Sequence, residues 1–404
     1  MTEAERRPVI LSAARLPTGK FLGPMSALSA PQLGGLAVDA AVGRSGVAAD
    51  EFDEIIMGNV LQGGVGQAPA RQAALNGGLP PDVPATTVNK VCGSGLKAVM
   101  LAARGIKAGD TKVAVAGGME SMSRAPHYQL GLRRGVKLGP AKLIDGLVHD
   151  GLWCAFGDRH MGGHAEYTAW KAGISRREQD EFALQSHGKA IAAADAGEFA
   201  DELVPVEVPG RRGSMIVDED EPPRRDTSLA ALGGLRPAFA NDAPPEVNEL
   251  SVTAGNAPGL NDGAAAVTVA SEAWAAALDL PAMGRIRAYA SAAVEPRDLF
   301  FAPVRAVRRL MEIDGTSIDD YDLVEMNEAF AVQAIADARE LGIREDRLNV
   351  RGGAVALGHP IGASGAKILT TLLYAMRDRG AALGMVTLCL GGGGAVALSV
   401  ERME

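Results

Sequence analysis

The chain has 404 residues, 47% hydrophobic and 22% charged, with a formal net charge of −9. That length suggests two or three globular domains, and the acidic balance argues against a general nucleic-acid or membrane-surface role, leaving room for a local basic patch on an anionic ligand. Three widely spaced cysteines form no disulfide framework and predict a reducing compartment, most simply the cytoplasm. In chain order, residues 1–21 hold no secretory apolar core with a cleavage site, and the terminal ERME is no recognised address. No apolar run of about 18 residues predicts a membrane span. Residues 9–12 predict a short strand, followed by the turn-rich RLPTG. Residues 33–42 have helical spacing, 54–57 read as a strand ending at Gly58-Asn59, and the alanine-rich 68–75 read as a helix.

Next comes VNKVCGSGLKAVM, residues 88–100. Cys92 sits where a short apolar approach meets Gly93, Ser94 and Gly95, ahead of a small-residue helical pattern. Glycines at a helix start let other backbone come close. The partial positive charge there eases ionisation of a thiol. Taken alone, a cysteine before a helix is more often a buried structural residue. A turn at Gly109-Asp110 leads to a strand at 112–116 that ends at Gly117-Gly118. Strands alternating with helices predict an α/β layered fold.

From residue 119 to about 250 the alternation stops, and the stretch reads as an insertion. It holds a small basic cluster (Arg133, Arg134, Lys137), a helix over 176–194 with Ser175 as its cap, and the charged loop VDEDEPPRR at 217–225. GLNDGAAAVTVAS, residues 259–271, reads as a turn, a helix start and a strand. A second half begins near Pro281 and echoes the first. FDEIIMGNV resembles YDLVEMNEAF, CGSGLKAV resembles IGASGAKIL, and VAVAGGMES resembles VTLCLGGGG, at a steady offset of about 270. Duplicated halves predict a pseudo-two-fold axis with the Gly-rich helix starts facing each other near it.

Three clusters in the second half sit at Gly-rich turns: Asn327-Glu328-Ala329-Phe330, Gly358-His359-Pro360-Ile361-Gly362, and Cys389-Leu390-Gly391. Each has a structural alternative: Asn327 as a helix cap, His359 as a loop histidine, Cys389 as a core residue. Together with Cys92 they make chemical sense. A thiol nucleophile needs a base, which His359 supplies. Developing oxyanions need donors, which Gly-rich backbone, Asn and His supply. A second thiol suits proton transfer at carbon.

The combination resembles the thiolase family over nearly the whole chain, through NKVCGSGLKAV, GGMESMSRAPH, HMGGHAE, SVTAGNAPGLNDGAAA, EMNEAFAVQ, GGAVALGHPIGASGAKIL and LCLGGGGAVAL. The paired NEAF, GHP and C-x-GGG motifs separate it from ketoacyl synthases. The resemblance implies a duplicated, five-layered α-β-α-β-α core with an inserted loop domain. Its N-terminal half is expected over 1–121, completed by 251–275, the inserted domain over 122–250, and the C-terminal half over 276–404. It implies Cys92 as the acylated nucleophile, His359 as its base and Cys389 as the proton shuttle at C2. His359 with a water on Asn327 would form one oxyanion site, and the N–H groups of Cys92 and Gly391 the other. The implied reaction is the Claisen condensation of two acetyl-CoA to acetoacetyl-CoA and CoA, and its reverse. It needs no metal or redox cofactor, since CoA is substrate and product.

For CoA, the resemblance points to His160 and Met161 in the pantetheine and acyl region, Arg224 at the nucleotide phosphates, and Ala254, Gly259, Ala329 and Phe330 around the pantetheine tunnel. Arg224 also reads as a solvated loop residue, and Met161 and Phe330 as packing residues. Three departures stand out. Pro258 replaces a serine thought to bond the pantetheine, and proline has neither hydroxyl nor N–H. His164 replaces a more usual threonine. About seven extra residues, 242–249, precede SVTAGN with no evident role. LRRGVKLG, residues 132–139, resembles a tetramer-assembly loop, so a homotetramer is expected. The rival readings are a degradative 3-ketoacyl-CoA thiolase of β-oxidation type for longer or branched chains, and a non-catalytic acyl-CoA-binding homologue.

Overall fold

Each half of the chain lays its strands side by side in the same order. In the first half these are β1 (Pro8–Arg15), β2 (Glu54–Gly58), β3 (Ala85–Val88), β4 (Val113–Ser121) and β5 (Asn261–Ser271). In the second they are β6 (Gly284–Ala293), β7 (Leu323–Met326), β8 (Leu383–Leu390) and β9 (Gly394–Arg402). The structure, a computed structural model, describes residues 6–210 and 213–403. Residues 1–5 and 404, on which part of the reading of the chain ends rests, lie outside the described residues.

The neighbour order is β7-β8-β9-β6-β1-β5-β4-β2-β3. Read outward from the β1–β6 seam, both halves run first strand, last strand, next-to-last strand, second strand. The seam is a short antiparallel pairing, Val9 with Arg285 and Ile10 with Gly284. An isolated parallel bridge between Val324 and Leu348 stands where β3 stands in the first half.

Matched aspartates fix the register. Asp53 accepts hydrogen bonds from the N–H groups of Lys112 and Val113, while Asp322 accepts them from Ala382 and Leu383. Val113 therefore matches Leu383, three residues away from the pairing suggested by VAVAGGMES and VTLCLGGGG. Strands buried on both faces look alike at several registers, because no polar alternation marks one.

Helices α1 (Ala30–Ser45), α2 (Pro69–Asn76), α3 (Ser94–Ala108), α4 (Met161–Ala172) and α5 (Arg176–Asp195) precede α6 (Ala302–Asp314), α7 (Ala331–Leu341) and α8 (Ser364–Arg379). Three large cores pack the five layers, the central one covering both faces of the α3–α8 layer. In β1, Val9 packs outward with α1 and α2, while its neighbour Ile10 packs inward, as the two-residue period of a strand requires. The central core joins Leu96, Val99 and Ala103 of α3 to Leu369, Leu372 and Met376 of α8. A third core sets Val304, Val307 and Leu310 of α6 and Ala334 of α7 on the far face of the second half.

The two central helices start against each other. A Cβ on Gly95 would lie 2.9 Å from the Ala366 nitrogen, and one on Gly365 would lie 2.4 Å from the Leu96 nitrogen. Only glycine permits that approach, and it brings both helix starts to the pseudo-axis.

Two element readings change. The strand at 112–116 runs on to Ser121 through Gly117 and Gly118, which pair with Ala266 and Ala265 of β5. Here glycine serves close packing and no turn is made. Residues 261–271 form one buried strand with no helix start. The helix at 176 is capped as read: the Ser175 hydroxyl accepts from Glu178 N–H and the Glu178 carboxylate accepts from Ser175 N–H, an arrangement worth about 1 kcal/mol.

Among the described residues between β4 and β5, strands pair only in three two-stranded antiparallel ribbons. The acidic loop at 217–225 is pinned to the main sheet. Arg15, fully buried, donates twice to Asp220, whose carboxylate also accepts from Thr18 N–H. Among the described residues no helix is long and apolar enough to cross a membrane.

Candidate active site

Cys92 lies in the turn between β3 and α3. The residue before it, Val91, has φ +48°, an uncommon conformation for a β-branched side chain. Ser94 holds the turn: its hydroxyl donates to the Val91 carbonyl at 2.6 Å and accepts from Lys90 N–H at 2.8 Å. The elbow so formed leaves Cys92 half-buried, facing a cavity.

The second half contributes three loop ends. β7 ends at Met326, and Asn327 follows, buried, with neither its side-chain oxygen nor its nitrogen hydrogen-bonded. Phe330 caps α7, so capping does not account for Asn327. Buried unpartnered amides are rare enough to demand a reason. β8 delivers Cys389, buried, with Gly391 just beyond.

His359 sits ahead of α8. Its backbone N–H donates to Asn261 at 2.9 Å, and its Nδ1 is 2.6 Å from the Ser364 hydroxyl. That hydroxyl donates to the Pro360 carbonyl at 2.8 Å, so its oxygen accepts the Nδ1 proton. Nε2 is left as the basic nitrogen, and it is buried without a partner.

These groups meet at a cavity of about 360 Å³, lined largely by apolar side chains. Cys92, His359, Cys389 and Gly391 border it, as do His160, Met161, Pro258, Gly259, Ala329 and Phe330. Asn327, Ala254 and Arg224 are not among its lining residues. Arg224 is exposed, with its backbone N–H on the His187 ring at 3.1 Å, and Ala254 is exposed too.

Burial governs the charges. It pushes the Cys92 thiol up to about 12, with Glu120 adding to the rise, while the N–H groups of Cys92 and Gly391 pull the other way by hydrogen bonding to the sulfur. The helix start therefore does not make this a resting thiolate, because desolvation outweighs it. Cys389 is pushed well above the usual thiol range, by burial first and then by Cys92. Burial, helped by the positive charge of Lys367, lowers His359 to about 3. The resting site is thus a neutral imidazole between two thiols, suited to proton transfer during bond formation.

Several contributors escaped sequence reasoning. Glu120 is fully buried and accepts from Asn59 Nδ2 and from the N–H groups of Val60, Leu61 and Gly362. It ties the His359 loop to the first half, and burial raises its carboxyl to about 7. Lys367, also buried, donates to the carbonyls of Leu357 and Gly358 just before His359. Phe239 stacks on the His160 ring at 4.8 Å and meets Phe330 edge-on at 6.1 Å. A charge inside an apolar run was the one available signal for Glu120 and Lys367, since unpaired burial is costly. Nothing local marks Phe239.

Residues 8–273 match the thiolase N-terminal domain and residues 280–402 the thiolase C-terminal domain. A Pseudomonas aeruginosa protein named acetyl-CoA acetyltransferase is 51% identical over 395 residues, covering 98% of this chain and 99% of its own. An Escherichia coli K12 protein named probable acetyl-CoA acetyltransferase is 51% identical over 396 residues, with the same coverage. A Cupriavidus necator acetyl-CoA acetyltransferase is 50% identical over 395 residues, again covering 98% and 99%. From the β1 strand to the end of β9, this chain belongs to the thiolase family.

Proposed function

We propose that the chain is an acetyl-CoA C-acetyltransferase, an acyltransferase that joins two acetyl-CoA into acetoacetyl-CoA and CoA and runs the reverse thiolysis. The observation that carries this is the convergence of Cys92, Cys389 and the bare Nε2 of His359 on one cavity, backed by relatives named for that activity.

His359 Nε2 takes the Cys92 proton as the sulfur attacks the thioester carbonyl. The oxyanion forms against the N–H groups of Cys92 and Gly391. The carbon–sulfur bond to CoA breaks, and CoA leaves with the Cys389 proton. An imidazolium and a Cys389 thiolate remain, which is how two high-pKa thiols become useful. The thiolate then removes a C2 proton from the second acetyl-CoA. Its enolate oxygen is held by His359 and by a water on the Asn327 amide. The enolate carbon attacks the acetyl group on Cys92, a carbon–carbon bond forms, and the Cys92 sulfur departs with the imidazolium proton. Each group ends as it began, and ping-pong kinetics follow.

CoA enters as substrate and leaves as product, and these steps call for no metal or redox cofactor. His160, Met161, Pro258, Gly259, Ala329 and Phe330 suit the pantetheine and acyl part, being on the cavity wall. Exposed Arg224 suits the nucleotide phosphates outside it, and exposed Ala254 suits the mouth of the pantetheine tunnel. A reducing cytoplasm suits three free cysteines. A homotetramer suits the arm at 130–143, where Leu130, Leu132, Leu138 and Leu143 are all exposed, Leu138 at 97%. Replacing Leu132 and Leu138 by Glu should turn tetramers into dimers in light scattering.

The deciding test is thiolysis of 3-ketoacyl-CoA substrates of graded length with CoA saturating. Acetoacetyl-CoA should dominate. Preference for longer or branched chains would favour the degradative reading. Turnover of none, with no acetyl group transferred from acetyl-CoA to Cys92, would leave an acyl-CoA-binding homologue.

A further inference from the structure

Residues 242–249 reach the catalytic cavity from behind. Asp242 closes a turn on Phe239, its N–H donating to the Phe239 carbonyl at 3.0 Å. Phe239 stacks on the His160 ring, and the Asp242 carboxylate accepts from His160 N–H at 3.1 Å. His160 is thus gripped at both ring and backbone. It is followed by Met161, whose methyl group would lie 4.0 Å from a Cβ on Gly391, beside the nucleophile.

Farther along, the Glu246 carboxylate pairs with Arg297, whose guanidinium lies 4.3 Å over the Tyr167 ring of α4. Arg297 belongs to the turn Pro296–Phe301, which sends Leu299 and Phe300 into the cavity wall. The segment therefore links two walls of the cavity. Those walls meet in an apolar core, Ala165 and Ala169 of α4 with Leu299 and Phe300, that ends short of Arg297 and Glu246. A second space of about 470 Å³ lies there, bordered by Arg159, His164, Tyr167 and Glu246, and the buried His164 Nε2 has no partner. Beside that space the segment braces the walls through the Glu246–Arg297 and Asp242–His160 contacts.

We infer that residues 239–246 are a strap that sets the width of the cavity beside Cys92, and so the acyl length accepted. Asp242 and Glu246 are positioning residues in this arrangement. The inference rests on the acyltransferase reading for its substrate, while the strap itself is readable without turnover.

Two ratios test it in wild type, Asp242→Ala, Asp242→Asn and Glu246→Gln. One is kcat/KM for eight-carbon over four-carbon 3-ketoacyl-CoA. The other is the labelling rate of Cys92 by N-cyclohexylmaleimide over N-ethylmaleimide, read by peptide mass spectrometry. Both should rise about tenfold in Asp242→Ala and about fivefold in Glu246→Gln. Asp242→Asn keeps an acceptor for His160 N–H and should stay within about twofold of wild type. Because the Glu246 pair is partly exposed, its melting temperature should move by no more than about 3 °C. Ratios unchanged in both Asp242→Ala and Glu246→Gln overturn the strap. A wild type inert to thiolysis overturns the acyltransferase reading, and the maleimide ratio then decides the strap alone.

Discussion

The starts of α3 and α8 are the same device used twice. Each begins with Ser-Gly, Ser94-Gly95 and Ser364-Gly365, and each glycine touches the other helix. Each serine hydroxyl donates back to a carbonyl of its own loop, Val91 in one case and Pro360 in the other. They differ in what else the serine oxygen holds. Ser94 accepts a backbone N–H and keeps a strained elbow that presents Cys92. Ser364 takes the imidazole of His359 and fixes its tautomer. One scaffold, duplicated, presents a thiol on one side of the axis and an imidazole with a bare Nε2 on the other. A motif of this kind sets geometry, and the residues just before it set chemistry.

The comparison breaks most completely when the first half loses its thiol. Cys92→Ala should lower thiolysis by about ten-thousand-fold or more and leave no covalent label from radioactive acetyl-CoA. Retained label would remove Cys92 from its role. On the second half, Cys389→Ser should still acylate at Cys92 while C2 hydrogen exchange of acetyl-CoA falls roughly a thousandfold. Unimpaired exchange would mean that another group handles carbon.

The paired serines sharpen the contrast. Ser364→Ala should cut kcat by roughly ten- to a hundredfold with KM little changed, because the tautomer of His359 is no longer imposed. Ser94→Ala should instead destabilise the fold by about 1 kcal/mol through the loosened elbow. Equal effects of both on kcat would mean that the two serines are structural alike.

The smallest effect concerns pH. Burial raises Cys92 and lowers His359 in the free enzyme. Alkylation of Cys92 by iodoacetamide should keep rising beyond pH 10, where an ordinary thiol, half-ionised near pH 8.5, has levelled off. The base should stay competent down to about pH 5, since a lowered pKa is lost only as pH falls toward it. A plateau near pH 8 would show a thiol activated at rest.

Much of this was legible from the sequence. Gly-rich turns beside Cys92, His359 and Cys389 singled out three residues that the fold brings to one cavity, because only special backbone tolerates such glycine density and thiol, imidazole and amide make a consistent set. The duplication was visible too, since matched apolar runs carry the pattern of strand and helix. Length and spacing read most elements within a few residues.

Tertiary structure decided the rest. It set the true correspondence of β4 with β8 between the two halves, since the Asp53 and Asp322 caps act through partners about sixty residues away. It reversed the expected ionisation of Cys92, because desolvation depends on what closes over a residue. It drew Glu120, Lys367 and Phe239 into the site and set Asp242 and Glu246 against His160 and Arg297. Local sequence dictates what a residue can do, through its chemistry and its backbone preference. Which neighbours exclude water from it, and which distant donor meets it, is fixed only when the two halves close around their shared axis.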